Sequence, residues 1–98
     1  MLWGSNQMLR IKPSSKFKKD LRKFKHNQPV IDELDKVIKI LVKKKDLPGR
    51  YKDHSLSGIW KRYRECHVKP DALLIYKIDE KDDLLNLERL GSHAELFM

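Results

Sequence analysis

The apolar residues of this chain change their spacing once, at the turn Leu47-Pro48-Gly49-Arg50, and that change limits the folds open to it. Before the turn the period is helical. Phe17, Leu21 and Phe24 stand at i, i+4 and i+7, and Ile31, Leu34, Ile38 and Leu41 form a second stripe that Val30, Val37 and Val42 widen. Ser14 or Ser15 can cap the first helix, His26-Asn27-Gln28 breaks it, and Pro29 suits the first turn of the second. After the turn and a polar loop from Tyr51 to Gly58 come three strand-like runs, Ile59–Val68, Ala72–Ile78 and Leu84–Leu90. Their connections, Lys69-Pro70-Asp71 and Asp79 to Asp83, are short enough that neighbouring strands pair antiparallel. Ala72–Ile78 is apolar on both faces and reads as a central strand. A short alternating run, Met8 to Lys12, precedes the helices as an edge strand stopped by Pro13. The expected fold is α+β in the order β-α-α-β-β-β: a small antiparallel sheet with two N-terminal helices packed on one face. Residues 8–98 make one domain, His93 to Met98 a short tail, and Met1 to Gln7 a polar leader outside the fold, without the apolar core of a secretory signal.

Charge is distributed as unevenly as the apolar period. Residues 1–50 hold 14 Lys/Arg against 5 Asp/Glu, a surplus of +9, whereas residues 51–98 hold 8 against 9, a balance of −1. The first half is a cationic module suited to a polyanion, with a solvated lysine-rich helix surface as the alternative. The second half carries three of the four histidines. The longest apolar run, Ala72 to Tyr76, is far too short to cross a bilayer. Cys66, the only cysteine, permits no internal disulfide and fits a reducing, cytoplasmic compartment.

The chemistry-bearing residues lie in that second half. As a strand, Ile59–Val68 would place Ile59, Lys61, Tyr63, Glu65 and His67 on one face and Trp60, Arg62, Arg64, Cys66 and Val68 on the other. An edge strand defended by charge would look similar. His54 precedes this run, Asp71 follows His67 in the next turn, and His93 follows the last strand. With the strands paired, these residues can meet at one end of the sheet, on the side away from the helices. Histidines titrate near neutrality, so a pair can accept and donate protons within one reaction. RNA cleavage requires that division: a base takes the 2′-hydroxyl proton, an acid protonates the leaving 5′-oxygen, and cations offset charge on the phosphoryl oxygens. Arg64 and Lys61 are the candidate phosphate contacts. The nucleophile belongs to the substrate, so no metal or cofactor is called for. Cys66 and His67 are adjacent and point to opposite faces, and no paired Cys or His spacing suggests a metal site.

The stretch from Tyr51, YKDHSLSGIWKRYRECHVKPDALLIYKID, followed by LERLGSHAELF, resembles the YafQ family of toxins in the wider RelE/ParE superfamily of toxin–antitoxin systems. The resemblance rests on Asp-His, Gly-x-Trp, Tyr-Arg-x-x-His-x-x-x-Asp, Ile-Tyr and Gly-Ser-His-Ala-x-Leu-Phe. It implies ribosome-dependent cleavage of mRNA in the 30S A site of the bacterial ribosome, and neutralisation by a cognate antitoxin. It also carries family positions onto His54, His67, Asp71, His93 and Phe97. His54 and His67 are then the candidate bases or orienting groups, Asp71 orients a histidine, His93 is the general acid, and Phe97 positions a base. Where the family often has an aspartate two residues before the strand histidine, this chain has Glu65, a carboxylate on a longer arm. The competing readings are a non-nuclease member of the superfamily that inhibits DNA gyrase and a plain basic RNA-binding module. The first has no need of three histidines around one sheet end, and the second calls for several aromatics on one sheet face.

Overall fold

The computed structural model describes residues 8–97, so the leader expected over residues 1–7 lies outside the described residues. The chain forms β1 (Arg10–Pro13), α1 (Ser15–Arg22), α2 (Gln28–Val42), β2 (His54–Ser55), β3 (Arg64–Lys69), β4 (Ala72–Asp79), β5 (Leu84–Gly91) and α3 (His93–Phe97), with single 3₁₀ turns at Gly49–Tyr51 and Gly58–Trp60. The five strands make one sheet in the order β1-β5-β4-β3-β2. This is the expected α+β class, with three departures from the expected order: a fifth strand, β2, the direction of β1, and the state of the C-terminal tail. β2 to β5 are antiparallel, but β1 lies parallel to β5, Arg10 opposite Leu84 and Pro13 opposite Leu87, so the sheet is mixed. The C-terminal tail is a helix.

Side-chain caps set the helix starts. The Ser14 hydroxyl accepts from the Phe17 N–H at 2.9 Å, and the Asn27 side chain accepts from the Val30 N–H at 3.3 Å, with Pro29 in the first turn of α2. The apolar stripes of both helices enter one core. Phe17, Leu34, Val37 and Leu41 pack on Cys66, Val68, Leu74, Tyr76, Leu85, Leu87 and Leu90. The opposite sheet face carries Leu73 and Ile75, covered by Leu96 of α3 and flanked by Leu56, Trp60, Tyr63 and Phe97. β4 is therefore buried on both faces, which is why its sequence does not alternate.

Two sequence devices dock α3. Ser92 and Glu95 cap each other: the Ser92 hydroxyl accepts from the Glu95 N–H at 3.2 Å, and Glu95 Oε1 accepts from the Ser92 N–H at 2.8 Å. The Ser92 N–H first, and then the Ser92 hydroxyl, hold the Glu95 carboxyl below its ordinary pKa. Gly91 lets the helix turn back onto the sheet, since a Cβ there would stand 3.0 Å from Glu95 Oε1 and 3.3 Å from Leu96 Cδ2.

α1 is tied to β5 by a buried ion pair. Asp20, 5% exposed, accepts from Arg89 Nε at 2.8 Å, from Arg89 Nη2 at 3.2 Å and from the Leu90 N–H at 2.9 Å. Burial pushes the Asp20 carboxyl up; the Arg89 guanidinium and the Leu90 N–H outweigh it and leave the pKa lowered.

Candidate active site

The loop between β2 and β3 revises the expected strand. Gly58 has φ +66°, which turns the chain into the 3₁₀ turn Gly58–Trp60, and β3 begins only at Arg64. Lys61 is therefore an exposed loop residue and does not share the strand face of Glu65 and His67. The alternation from Arg64 onward holds. Cys66 and Val68 enter the helix-side core, and Glu65 and His67 face the other way.

That second face brings three side chains together. His54 pairs in register with Glu65 across β2 and β3. The Glu65 carboxylate, only 5% exposed, has Oε1 3.4 Å from His54 Nε2 and 3.8 Å from His67 Nε2. A buried carboxylate thus stands between two imidazoles, both partly open to solvent. His54 Nδ1 donates to the Lys52 carbonyl at 2.8 Å. A carbonyl only accepts, so Nδ1 carries the hydrogen, and Nε2 is the ring atom left to gain and lose a proton. The carbonyl reaches that position because Lys52 adopts a left-handed conformation, φ 50° and ψ 41°, which costs a non-glycine residue about 1–2 kcal/mol. The left-handed turn thereby fixes which ring nitrogen of His54 carries the hydrogen.

α3 lies over the same face, where Leu96 packs with Leu73 and Ile75. His93 starts this helix and is exposed; its ring centroid is 4.8 Å from that of Phe97, one turn along. Phe97 in turn meets Trp60 edge-on at 6.2 Å, and Trp60 meets Tyr63 at 5.3 Å. His93 is thus held by an aromatic row on the side of the sheet that carries Glu65 and His67.

Two candidates are placed elsewhere. Arg64 points to the helix side, where Nε and Nη2 donate to Asp53 Oδ2 at 3.1 and 2.8 Å, and the Tyr76 hydroxyl donates to Asp53 Oδ1. This partly buried triad explains an arginine in β3 and commits Arg64 away from a phosphate on the opposite face. Asp71 is exposed in the β3–β4 turn and lines a concavity with Phe24, Asn27 and Pro29; it makes no side-chain hydrogen bond or ion pair to a histidine among the described residues. Burial pushes the Cys66 thiol up to about 12, so it stays protonated and is no nucleophile at neutral pH. Among the described residues no group of three or more His, Cys, Asp or Glu is placed to hold a metal ion. No described helix is long and apolar enough to cross a membrane.

Residues 9–98 match the model of a protein family described as the bacterial toxin of type II toxin–antitoxin systems, YafQ. The mRNA interferase toxin YafQ of Escherichia coli K12 is 41% identical over 88 residues, 89% of this chain and 94% of its own. A crystal structure of a metal-bound toxin from Helicobacter pylori is 48% identical, with a TM-score of 0.85, covering 92% of this chain and 100% of that one. The toxin of the E. coli DinJ–YafQ toxin–antitoxin complex is 38% identical, with a TM-score of 0.81 over 93% of this chain and 99% of that one. The match over residues 9–98 places this basic α+β chain among the toxins of type II toxin–antitoxin systems. The chain belongs to the YafQ family.

Proposed function

We propose that this chain is an mRNA interferase of the bacterial cytoplasm, cleaving ribosome-bound message through the substrate's own 2′-hydroxyl. The observation that carries the reading is the Glu65 carboxylate set between His54 Nε2 and His67 Nε2, at 3.4 and 3.8 Å. His54, with Nδ1 committed to the Lys52 carbonyl, is the base. Its Nε2 takes the 2′-hydroxyl proton, the 2′-oxygen bonds to the adjacent phosphorus, and the bond from phosphorus to the 5′-oxygen breaks. His93 gives its proton to that 5′-oxygen. The products are a 2′,3′-cyclic phosphate and a 5′-hydroxyl. Glu65 supplies the counter-charge to the imidazolium that forms, and His67, on the other side of the same carboxylate, is placed to donate a hydrogen bond to the phosphoryl oxygens. Phe97 holds the His93 ring, and the lysine-rich helices bind ribosomal RNA through phosphates. The E. coli relative of the same family carries the name mRNA interferase toxin, and the DinJ–YafQ complex supports a cognate antitoxin as the second partner.

Primer extension on ribosome-bound mRNA after induction of the gene tests the activity: new 5′ ends inside translated message are expected, and their absence contradicts the reading. The nucleophile needs no metal, so a chelator selective for transition metals, with magnesium held constant to keep ribosomes intact, is expected to leave the cleavage rate unchanged. A metal-bound toxin among the relatives makes this a real test. Activity lost to the chelator and restored by zinc or copper overturns the metal-free step.

A further inference from the structure

The Glu65–His67 end of β3 opens onto a second, cationic surface. β2 pairs only with Arg64 and Glu65, so from Cys66 onward the outer edge of β3 has no neighbouring strand. Beside that edge lies a cavity of about 510 Å³, bounded by the Gly49–Tyr51 turn on one side and by His67 to Pro70 on the other. Tyr51 and Val68 give it an apolar floor, and Arg50, Lys52 and Lys69 give it a basic rim. Its one carboxylate, Glu33, is already engaged: Oε1 accepts from the Tyr51 hydroxyl at 2.9 Å and faces Arg50 at 3.4 Å, and Oε2 faces Lys36 at 3.2 Å. Lys52 and Lys69 take part in no ion pair among the described residues. Two uncommitted ammonium groups therefore border a groove whose far wall is His67, one of the two imidazoles on Glu65.

We infer that this groove binds the phosphodiester backbone of the substrate strand next to the cleaved linkage, with Lys52 and Lys69 as its phosphate contacts. The inference rests on the nuclease reading and supplies the cationic contacts that Arg64, bound to Asp53, cannot provide. Position decides the ligand. His67 lines the groove and stands 3.8 Å from Glu65, so a strand lying in the groove would end beside the linkage being cut. An apolar floor with separated cations at the rim fits sugar and phosphate better than it fits a single small anion. Lysine serves such a site as a point charge that does not read sequence.

The test uses the double variant Lys52→Gln/Lys69→Gln of the full chain, with ribosomes programmed with a short mRNA. Glutamine keeps the stems and removes the charges. The variant is expected to need about 10–100-fold more toxin for half-maximal single-turnover cleavage, two solvent-exposed phosphate contacts each being worth about three- to tenfold. The maximal rate should stay within about threefold of the parent, because these contacts are made in ground state and transition state alike. The salt slope of binding should fall by about 1 per lysine. Binding to ribosomes without mRNA, followed by sedimentation, should match the parent, and so should the melting temperature. Lys52→Arg/Lys69→Arg should restore the parental dependence. An unchanged half-saturation point overturns the inference. An equal loss of binding to mRNA-free ribosomes overturns it too, because the groove then holds ribosomal RNA. If the parent chain itself fails to cleave, the nuclease reading has failed; if the parent cleaves and the variant matches it, only the groove has.

Discussion

His93→Gln is expected to slow cleavage of ribosome-bound mRNA by about 10²–10⁴-fold, the usual contribution of a positioned general acid. The fold should not register the change. α3 is held by the Ser92–Glu95 capping pair and by Leu96 against Leu73 and Ile75, none of which needs the imidazole. The ring is exposed and meets Phe97 at a tilt of 40°, 4.8 Å between centroids, a contact that glutamine partly replaces with its stem. Ribosome binding should also survive, since the lysines that should carry it lie on the N-terminal helices. Single-turnover cleavage, melting temperature and ribosome sedimentation of the same variant separate three roles. A structural His93 lowers the melting temperature with the activity, and a binding histidine regains the parental rate at saturating toxin. A parental single-turnover rate in the variant contradicts the assignment and moves the acid to His54 or His67.

The largest stability effect is expected at Asp20, far from the chemistry. Asp20→Ala strands the Arg89 guanidinium and leaves the Leu90 N–H without its acceptor. Breaking a buried pair costs about 3–5 kcal/mol, and Arg89 retains some access to water, so about 2–4 kcal/mol is expected here. Removing both partners, as in Asp20→Ala/Arg89→Met, should recover part of that loss. The pH dependence has a definite sign. The folded carboxyl lies below its ordinary value, so its contribution is complete above the unfolded pKa, about 3.9, and is lost as pH falls through the folded one. Urea unfolding of parent and variant should therefore differ most at neutral pH and converge in acid. A difference below about 0.5 kcal/mol at pH 7, within the range of an ordinary surface change, contradicts this account.

The parts of the fold legible in the sequence are those whose residues obey one local rule. α1 and α2 each bury one stripe, and β4 is apolar throughout because both of its faces are covered. β2 is two residues long, too short for any periodicity, and exists because His54 and Ser55 pair with β3. α3 is five residues long, too short for a helical period, and its start is marked by the Ser92–Glu95 capping pair. Simple alternation misled at residues 59–63, where Gly58 takes φ +66° and ends the strand geometry. The meeting of His54 with Glu65 depended on strand register, and the role of Lys52 depended on a backbone carbonyl in a left-handed turn, which no side-chain motif encodes. Arg64 was legible as a cation but not as the partner of Asp53, eleven residues earlier in the chain.

The central claim is that the substrate supplies the nucleophile and the histidine face moves the protons. It is tested most directly by single-turnover cleavage of two ribosome-bound mRNAs that differ only at the cleaved nucleotide, one with ribose and one with 2′-deoxyribose. The account predicts that the ribose message is cut to a 2′,3′-cyclic phosphate and a 5′-hydroxyl, and that the deoxy message stays intact at that position with the toxin still bound. Cleavage of the deoxy message at the same linkage would contradict it, because water or a protein group would then be the nucleophile.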